Sequence, residues 1–240
     1  MDILLFCLPF FFVALLYASV GHGGASGYLA VMALLVIDPV LLRPTALGLN
    51  IIVSLIGTIA FFRAGHFRAN LFWPIALSAV PFAYVGGGIV LDESAFRKIL
   101  GIALCIALLR LFMPESKGAE IRTPKIWVMI LSGMLMGFVS GLIGVGGGIF
   151  LTPLVILFSW APTRTAAAIS APFILLNSVA GLLGLMPERA DFQPHFLWIA
   201  AVVFIAGIIG SVWGSRIAPV RQVRWALALV LSLAAFKLFL

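Results

Sequence analysis

The sequence predicts an all-α polytopic membrane protein made of two homologous halves. Hydrophobic residues make up 63% of the 240 residues, only 10% are charged, and the mean hydropathy is +1.23. A soluble domain carries about 25% charged residues, so this composition excludes one. The second observation is a glycine-rich motif that occurs once in each half, after an apolar segment of about eighteen residues. Glycine clusters interrupt helices, and a break repeated at matching places is typical of transporter folds.

Apolar segments divide the chain evenly around one polar linker. Ten of them can be drawn, at roughly 3–20, 27–37, 44–62, 70–91, 96–113, 126–143, 149–159, 165–186, 195–215 and 222–240. The linker 114–125 separates the first transmembrane repeat, 1–113, from the second, 126–240. Segment 3–20 lacks the basic start of a signal peptide and has a counterpart at 126–143, so we expect it to stay in the membrane.

Matching residues in the two halves support the repeat. The pairs are Gly21 and Gly144, Gly24 and Gly147, and Pro39 and Pro162 at a shift of 123 residues, then Phe67 and Phe192, and Trp73 and Trp198 at a shift of 125. Small residues also recur at every fourth position, at Gly133, Gly137, Gly141 and at Gly210, Gly214. This spacing predicts close helix–helix packing in the membrane.

The distribution of Lys and Arg predicts the orientation. If each half crosses the membrane an odd number of times, ten basic residues face the side of the 63–69 loop and the linker, and five face the other side. If each half crosses an even number of times, eight basic residues face one side of the membrane and seven face the other. The positive-inside rule therefore favours the first arrangement, in which the halves are inverted repeats and both termini lie outside the cytoplasm.

The segments that follow the glycine motifs are too short to cross a bilayer. Eleven residues in 27–37 or 149–159 span roughly 16 Å at ~1.5 Å per residue, about half of a ~30 Å hydrocarbon core. The sequence predicts a half-helix at each place. Two arrangements stay open, a re-entrant hairpin with the preceding segment or the short arm of a broken helix.

The placement of acidic residues indicates the sign of the substrate. All eight carboxylates lie at segment ends or in loops: Asp2, Asp38, Asp92, Glu93, Glu115, Glu120, Glu188 and Asp191. Carriers of protons and cations usually keep an acidic residue inside the membrane. Its absence from the apolar segments predicts a small anion as the transported partner.

Helix N-termini are the predicted anion donors, because their first amides lack intrahelical acceptors and carry partial positive charge. The candidate residues are Gly21, His22, Gly23, Gly24 and Ser26 in the first copy and Gly144, Gly146, Gly147 and Gly148 in the second. Ser26 is the expected helix cap. His22 either donates to the anion or carries a coupled proton, or is a neutral imidazole bonded to a backbone carbonyl.

Polar residues on the neighbouring segments complete the candidate site. Asn50 and Ser54 lie one turn apart, and Asn177 and Ser178 lie in the second half. These four residues line the substrate path or bond neighbouring helices to each other. Arg43 and Arg164 follow the two short segments, where they attract anions at the two mouths or sit solvated at the lipid headgroups.

These residues distinguish several functional classes. The leading one is a secondary transporter of a small oxyanion that works by alternating access around a midplane site. The alternatives are an anion channel, a membrane enzyme and a structural subunit. No nucleophile–base pair or metal-ligand cluster falls within the apolar segments, so we expect neither enzyme activity nor a cofactor or metal. The basic residues stand singly in short loops, which indicates membrane orientation and excludes nucleic acid as a partner.

The second glycine motif resembles a known family. Gly141-Leu-Ile-Gly144-Val-Gly146-Gly147-Gly148, followed by Thr152-Pro153, is similar to the pattern of the TauE/SafE sulfite exporters, also called the toluene-sulfonate uptake permeases. The first copy departs from that pattern at His22, Ala25 and Ser26. The resemblance covers nearly the whole chain and adds Thr152 to the candidate site. It implies transport of sulfite, sulfonates or sulfoacetate across the bacterial cytoplasmic membrane. The coupling proton or cation and the oligomeric state stay open.

Overall fold

Every regular element that the structure describes is a helix. The computed structural model describes residues 3–92, 94–96, 98–99, 101–102, 121–185 and 191–216. Its helices are α1 (Ile3–Ser19), α2 (Ala25–Leu34), α3 (Pro39–Arg63), α4 (Ala69–Gly87), α5 (Ile126–Ile143), α6 (Gly148–Leu157), α7 (Thr163–Leu185) and α8 (Phe196–Arg216). The predicted all-α class is confirmed. Segment 222–240 and most of 96–113 lie outside the described residues.

Five of the described helices are long and apolar enough to cross a membrane. They are α3, α4, α5, α7 and α8. Their outward faces carry large apolar side chains such as Leu77, Leu135 and Leu197, which are 66%, 65% and 81% exposed. Exposure of these side chains to water would be unfavourable, whereas the hydrocarbon of a lipid bilayer solvates them. α2 and α6 have ten residues each, so each spans about 15 Å, half of the hydrocarbon core.

The two halves have the same backbone conformation around their short helices. Val36 and Ser159, 123 residues apart, are both non-glycine residues with left-handed φ, at 56° and 54°. The hydrogen bonds around them also match, because Ile37 N–H donates to the Met32 carbonyl and Trp160 N–H to the Val155 carbonyl at the same shift. L-residues rarely adopt this conformation, so its occurrence twice supports a structural repeat.

Each short helix forms a hairpin with the helix before it. In the second half, the Arg122 N–H before α5 donates to the Ser159 carbonyl after α6, at 2.9 Å. The chain therefore enters and leaves this hairpin at one end of the bundle. In the first half, Phe6 of α1 and Ile37 after α2 pack against the same core cluster. Of the two arrangements left open by the sequence, these contacts favour the hairpin.

Helix packing is the same when the two halves are exchanged. α4 packs on α5 as α8 packs on α1, α4 packs on α7 as α8 packs on α3, and α2 packs on α3 as α6 packs on α7. Close approach at small residues makes this possible, as predicted. A Cβ atom on Gly137 would meet the Ala79 carbonyl, and one on Gly214 would meet the Ser19 carbonyl. These glycines let two pairs of helices pack backbone to backbone.

Candidate functional site

α2 and α6 both begin at a glycine in the left-handed region. Gly24 caps α2 with φ 98°, and Gly147 caps α6 with φ 82°. This backbone conformation costs any other L-residue about 1–2 kcal/mol. The first intrahelical bond of α2 runs from Tyr28 N–H to the Gly24 carbonyl, and the matching bond of α6 runs from Leu151 N–H to Gly147. The amides of Ser26 and Gly27 in α2, and of Gly148 and Ile149 in α6, come before the first helical acceptor. Phe150 N–H is engaged, because it donates to the Gly147 carbonyl at 3.1 Å.

Both helix N-termini border one small cavity, the central cavity. Its lining takes Gly23, Gly24 and Ser26 from the first cluster (residues 21–27), and Val145 and Gly148 from the second cluster (residues 144–148). The cavity offers about 10 Å³ of space, which is room for about one water molecule. None of the described residues that line it is a carboxylate. The two partial positive charges therefore point into one space that holds no negative side chain.

The Asn50 side chain connects the two clusters. Its Oδ1 accepts a hydrogen bond from Ala25 N–H at 3.1 Å, at the start of α2. Its Nδ2 donates to Ser178 Oγ at 2.9 Å and to the Val145 carbonyl at 3.4 Å. Asn50 is fully buried. Its amide is thus engaged by protein on both sides, and Ser178 is engaged with it.

In the second half, the position equivalent to Asn50 is occupied by an apolar residue, Ile174. A Cβ atom on either Gly23 or Gly146 would meet both the Asn50 amide and the Ile174 side chain. Asn50 comes from α3 and Ile174 comes from the equivalent helix α7. The two halves therefore form the same frame around the cavity but contribute side chains of different chemistry. This inequality fits the mismatch of His22 with Val145 in the two copies.

Other predicted polar residues bond within the protein. Ser54 Oγ donates to the Ile51 carbonyl in its own helix, and Asn177 Nδ2 donates to the Phe173 carbonyl. Thr152 and Ser170 share a buried hydroxyl–hydroxyl bond of 2.7 Å. Thr152, Ser54 and Asn177 do not line the central cavity. Asn177 Oδ1 is buried without a partner among the described residues.

His22 and Ser26 both line the cavity. His22 Nδ1 lies 3.1 Å from the Val20 carbonyl, and the ring contacts Tyr17 edge to face. Ser26 was expected to cap α2, and that expectation is wrong. The cap is Gly24, with no side-chain hydrogen bond, whereas the Ser26 hydroxyl bonds Tyr17 Oη at 2.8 Å. The left-handed glycine starts the helix two residues earlier than a serine cap would.

The two arginines lie in different environments. Arg43 is 8% exposed and donates to four carbonyls, those of Gly86, Gly87, Ile89 and Gly141. Arg164 is exposed at the start of α7. In packing, Ala167 is the counterpart of Arg43, because Gly144 lies against Arg43 and Gly21 lies against Ala167. Arg43 therefore holds the last turns of α4 and α5, where cations are favoured.

Three hydroxyls near the cavity were not among the sequence-based candidates. Tyr17 lines it directly. The Tyr28 and Ser140 hydroxyls are buried with no partner among the described residues, and each lies beside a capping glycine, Tyr28 at Gly24 and Ser140 at Gly147. Only the helix register could have identified them. Tyr28 begins the first bonded turn of α2, and Ser140 accepts the last bonds of α5.

The comparisons with known proteins show the family of this chain. A family model described as "Sulfite exporter TauE/SafE" matches residues 6–238. The chain belongs to this family. It is also 35% identical over 237 residues to the "Probable membrane transporter protein y4hK" of Sinorhizobium fredii, covering 96% of both chains. No solved structure gives a significant match.

More distant TauE/SafE-like relatives carry the same kind of description. The chain is 24% identical over 249 residues to the "Probable membrane transporter protein YjnA" of Bacillus subtilis, covering 95% of this chain and 96% of that one. It is 30% identical over 157 residues to the "Probable membrane transporter protein MJ0441" of Methanocaldococcus jannaschii, covering 61% and 57%. This TauE/SafE protein is therefore a multi-pass membrane protein of a transporter family.

Proposed function

We propose that the protein is a secondary transporter of small sulfur-containing oxyanions, such as sulfite or small sulfonates, that works by alternating access. The observation that carries this proposal is the meeting of two helix N-termini at one cavity, whose described lining residues include no carboxylate. Two helix dipoles supply the donors that an oxyanion needs, together with the first-turn amides other than those of Ala25 and Phe150, which bond within the protein. The family description "Sulfite exporter" supports sulfur oxyanions as the substrate class.

Arg43 strengthens the case for an anion. Its guanidinium is buried, and its hydrogen bonds go to backbone carbonyls and not to a carboxylate. Its side-chain stem packs against Gly144 at the edge of the second cluster. Among the described residues no carboxylate pairs with this buried charge, which leaves a positive potential around it. An anion in the central cavity is favoured by that potential.

The two ends of the bundle differ, which supports alternating access by an inverted repeat. The segments before α4 and before α8 correspond in the two halves, yet they lie at opposite ends of α3. Residues 64–68 follow the last residue of α3, whereas the Gln193 N–H bonds Thr45 Oγ1 near its first residue, at 2.9 Å. Gln193 and Thr45 are buried, and His195 contacts Phe6. At the other end, the equivalent space between Asn70 and Met129 is a cavity of about 380 Å³.

A carrier fits these dimensions better than a channel does. A central cavity of about 10 Å³ cannot pass an oxyanion unless the surrounding helices move. By the positive-inside rule, the end with the large cavity faces the cytoplasm, because it carries the 63–69 loop and the linker. In that orientation both termini lie outside. The membrane is then the bacterial cytoplasmic membrane that the family resemblance implies.

Uptake of labelled sulfite by proteoliposomes tests the proposal. We expect saturable uptake and counterflow, because a carrier exchanges external label for internal substrate. Bilayer recordings should give no unitary conductance. Conductance without counterflow would make the protein a channel, and no movement of any small oxyanion in a panel of sulfite, sulfate, thiosulfate, sulfoacetate and phosphate would reject transport. Empty liposomes and the Gly147→Ala variant serve as controls.

A further inference from the structure

The cavity at the end of the bundle is separate from the central one and has its own chemistry. It offers about 380 Å³, within the range of small-molecule sites. Exposed polar residues form its rim, Arg68, Asn70 and Thr123, and the buried apolar side chains Leu71, Met129 and Trp160 form its floor. For comparison, an apolar cavity of about 150 Å³ binds benzene. This space therefore has room for a ring or a short alkyl chain together with a polar group.

The electrostatics around this cavity select an anion. Arg68 lies in its lining, and among the described lining residues there is no carboxylate. The described carboxylates, Asp38, Asp92 and Asp191, lie at the other end of the bundle, at the start of α3, after α4 and before α8. Around the cavity the described ionised side chains are all basic, namely Arg63, Arg68, Arg122, Lys125 and Arg164. Clustered charge of one sign attracts ligands of the other.

The corresponding place in the other half has no basic residue, and its side chains are buried or packed against protein. At a shift of 125 residues, Gln193 stands where Arg68 stands, and His195 stands where Asn70 stands. The His195 ring contacts Phe6 at 5.6 Å between centroids, and Gln193 is only 7% exposed. The shared fold therefore does not create a ligand cavity by itself. Its charge comes from Arg68, which has no basic counterpart in the other half.

We propose that this cavity is a binding site for an organic monoanion, whose acid group pairs with Arg68 and whose apolar body lies against Trp160 and Met129. The acid group is a carboxylate or a sulfonate, since a planar guanidinium binds either through paired hydrogen bonds. The apolar floor distinguishes such a ligand from an inorganic oxyanion, which would leave that floor empty. The site is distinct from the central cavity, and the proposal holds whichever anion crosses the membrane.

Binding of three small probes to the purified protein in detergent tests the site. Benzoate carries the acid and the ring, benzamide only the ring, and formate only the acid. We expect benzoate to bind at least tenfold more tightly than either of the others, measured by calorimetry. In the Arg68→Gln variant, which has the residue found at the corresponding position 193, benzoate affinity should fall at least tenfold. The Arg63→Gln variant removes a charge at the same end and should stay within twofold of wild type.

Two results would overturn the assignment. Equal benzoate affinity in wild type and Arg68→Gln would remove Arg68 from the site, and formate binding as tight as benzoate would remove the apolar floor. Arg68 is exposed, so its variant is expected to fold, and the melting temperature checks this. Sulfite uptake in the same preparation reports on the central cavity separately. Benzoate binding without sulfite uptake would retain this site and reject the proposed transport.

Discussion

Asn50 and Ser178 lie in different halves of the protein and share a side-chain hydrogen bond of 2.9 Å. Asn50 lies on α3 and Ser178 on α7, and the same amide also accepts the first N–H of α2. Neither side chain is exposed by more than 1%. The central cavity is therefore framed by a polar link that water does not reach, and each end of that link contacts a helix break.

Asn50→Ala should destabilise the protein. The change leaves the Ala25 N–H and the Ser178 hydroxyl without their partner, and unsatisfied buried groups cost about 1–3 kcal/mol. The matched control is Ser54→Ala, one turn further along α3, whose hydroxyl bonds only its own helix. We expect that control to change the unfolding free energy by about 0.5 kcal/mol or less. Chemical denaturation in detergent measures both, and equal stability of the two variants would contradict the role given to Asn50.

The capping glycines should be essential for transport. Alanine at Gly147 would place its Cβ 2.8 Å from the Phe173 ring, and alanine at Gly24 would place it 2.8 Å from Tyr28. Each change adds left-handed strain of about 1–2 kcal/mol to a steric clash beside the cavity. We expect at least a tenfold loss of sulfite uptake per inserted protein.

Gly65 provides a matched control for the capping glycines. Its φ is also left-handed, at 76°, but a Cβ there meets nothing within 4 Å. Gly65→Ala therefore carries the strain without the clash, away from the central cavity. Its uptake should stay within twofold of wild type. Equal losses in Gly65→Ala and Gly147→Ala would assign the effect to backbone strain alone.

The sequence predicted the frame of the site better than its side chains. Periodic apolar segments and a repeated glycine motif were enough to predict two short helices, at 27–37 and 149–159, because chain-local signals determine helix breaks. The structure begins them at Ala25 and Gly148, after the capping glycines Gly24 and Gly147. The role of Asn50 was not predictable in that way. Its partners lie 25, 95 and 128 residues away, and no local pattern distinguishes an amide that binds a ligand from one that links helices.

Arg43 illustrates the same limit in another way. Its position after a short segment indicated a residue at a mouth, paired with Arg164. Its carbonyl partners belong to the ends of α4 and α5, which are 43 to 98 residues away in the chain. Only packing brings those helix ends together. Burial of a charge depends on that packing, so a sequence pattern alone could not have placed this guanidinium.

Arg43 should be a major determinant of stability. Arg43→Met removes the donor to four carbonyls at two helix C-termini and should cost about 1–3 kcal/mol, because buried acceptors are left without a partner. Arg43→Lys keeps the charge but lacks the planar fork, so we expect an intermediate loss. Arg63→Met, at the exposed opposite end of α3, is the control and should have little effect. Melting temperatures in detergent measure these losses. An Arg43→Met protein as stable as Arg63→Met would contradict the role of Arg43 in holding the ends of α4 and α5.

Accessibility of introduced cysteines should reveal the two ends of the bundle as different. Asn70 is exposed at the large cavity, whereas Gln193 is buried and its N–H bonds Thr45. Cys7 and Cys105 are first replaced by Ala, and Asn70→Cys or Gln193→Cys is then added. An impermeant maleimide should label the Asn70→Cys variant at least tenfold faster in inside-out vesicles than it labels the Gln193→Cys variant in right-side-out vesicles.

Thr45→Val tests whether the hydrogen bond between Gln193 and Thr45 keeps this end of the bundle closed during transport. The change removes the acceptor of the Gln193 N–H but keeps the shape of the side chain, at a cost of about 1 kcal/mol, or about a fivefold shift between closed and open populations. Labelling of the Gln193→Cys variant should accelerate by that factor, while labelling of Asn70→Cys slows. Thr45→Ser keeps the hydroxyl and should restore both rates. If Thr45→Val left both rates unchanged, the two ends would not exchange through this hydrogen bond, and the difference between them would be a fixed feature of the fold.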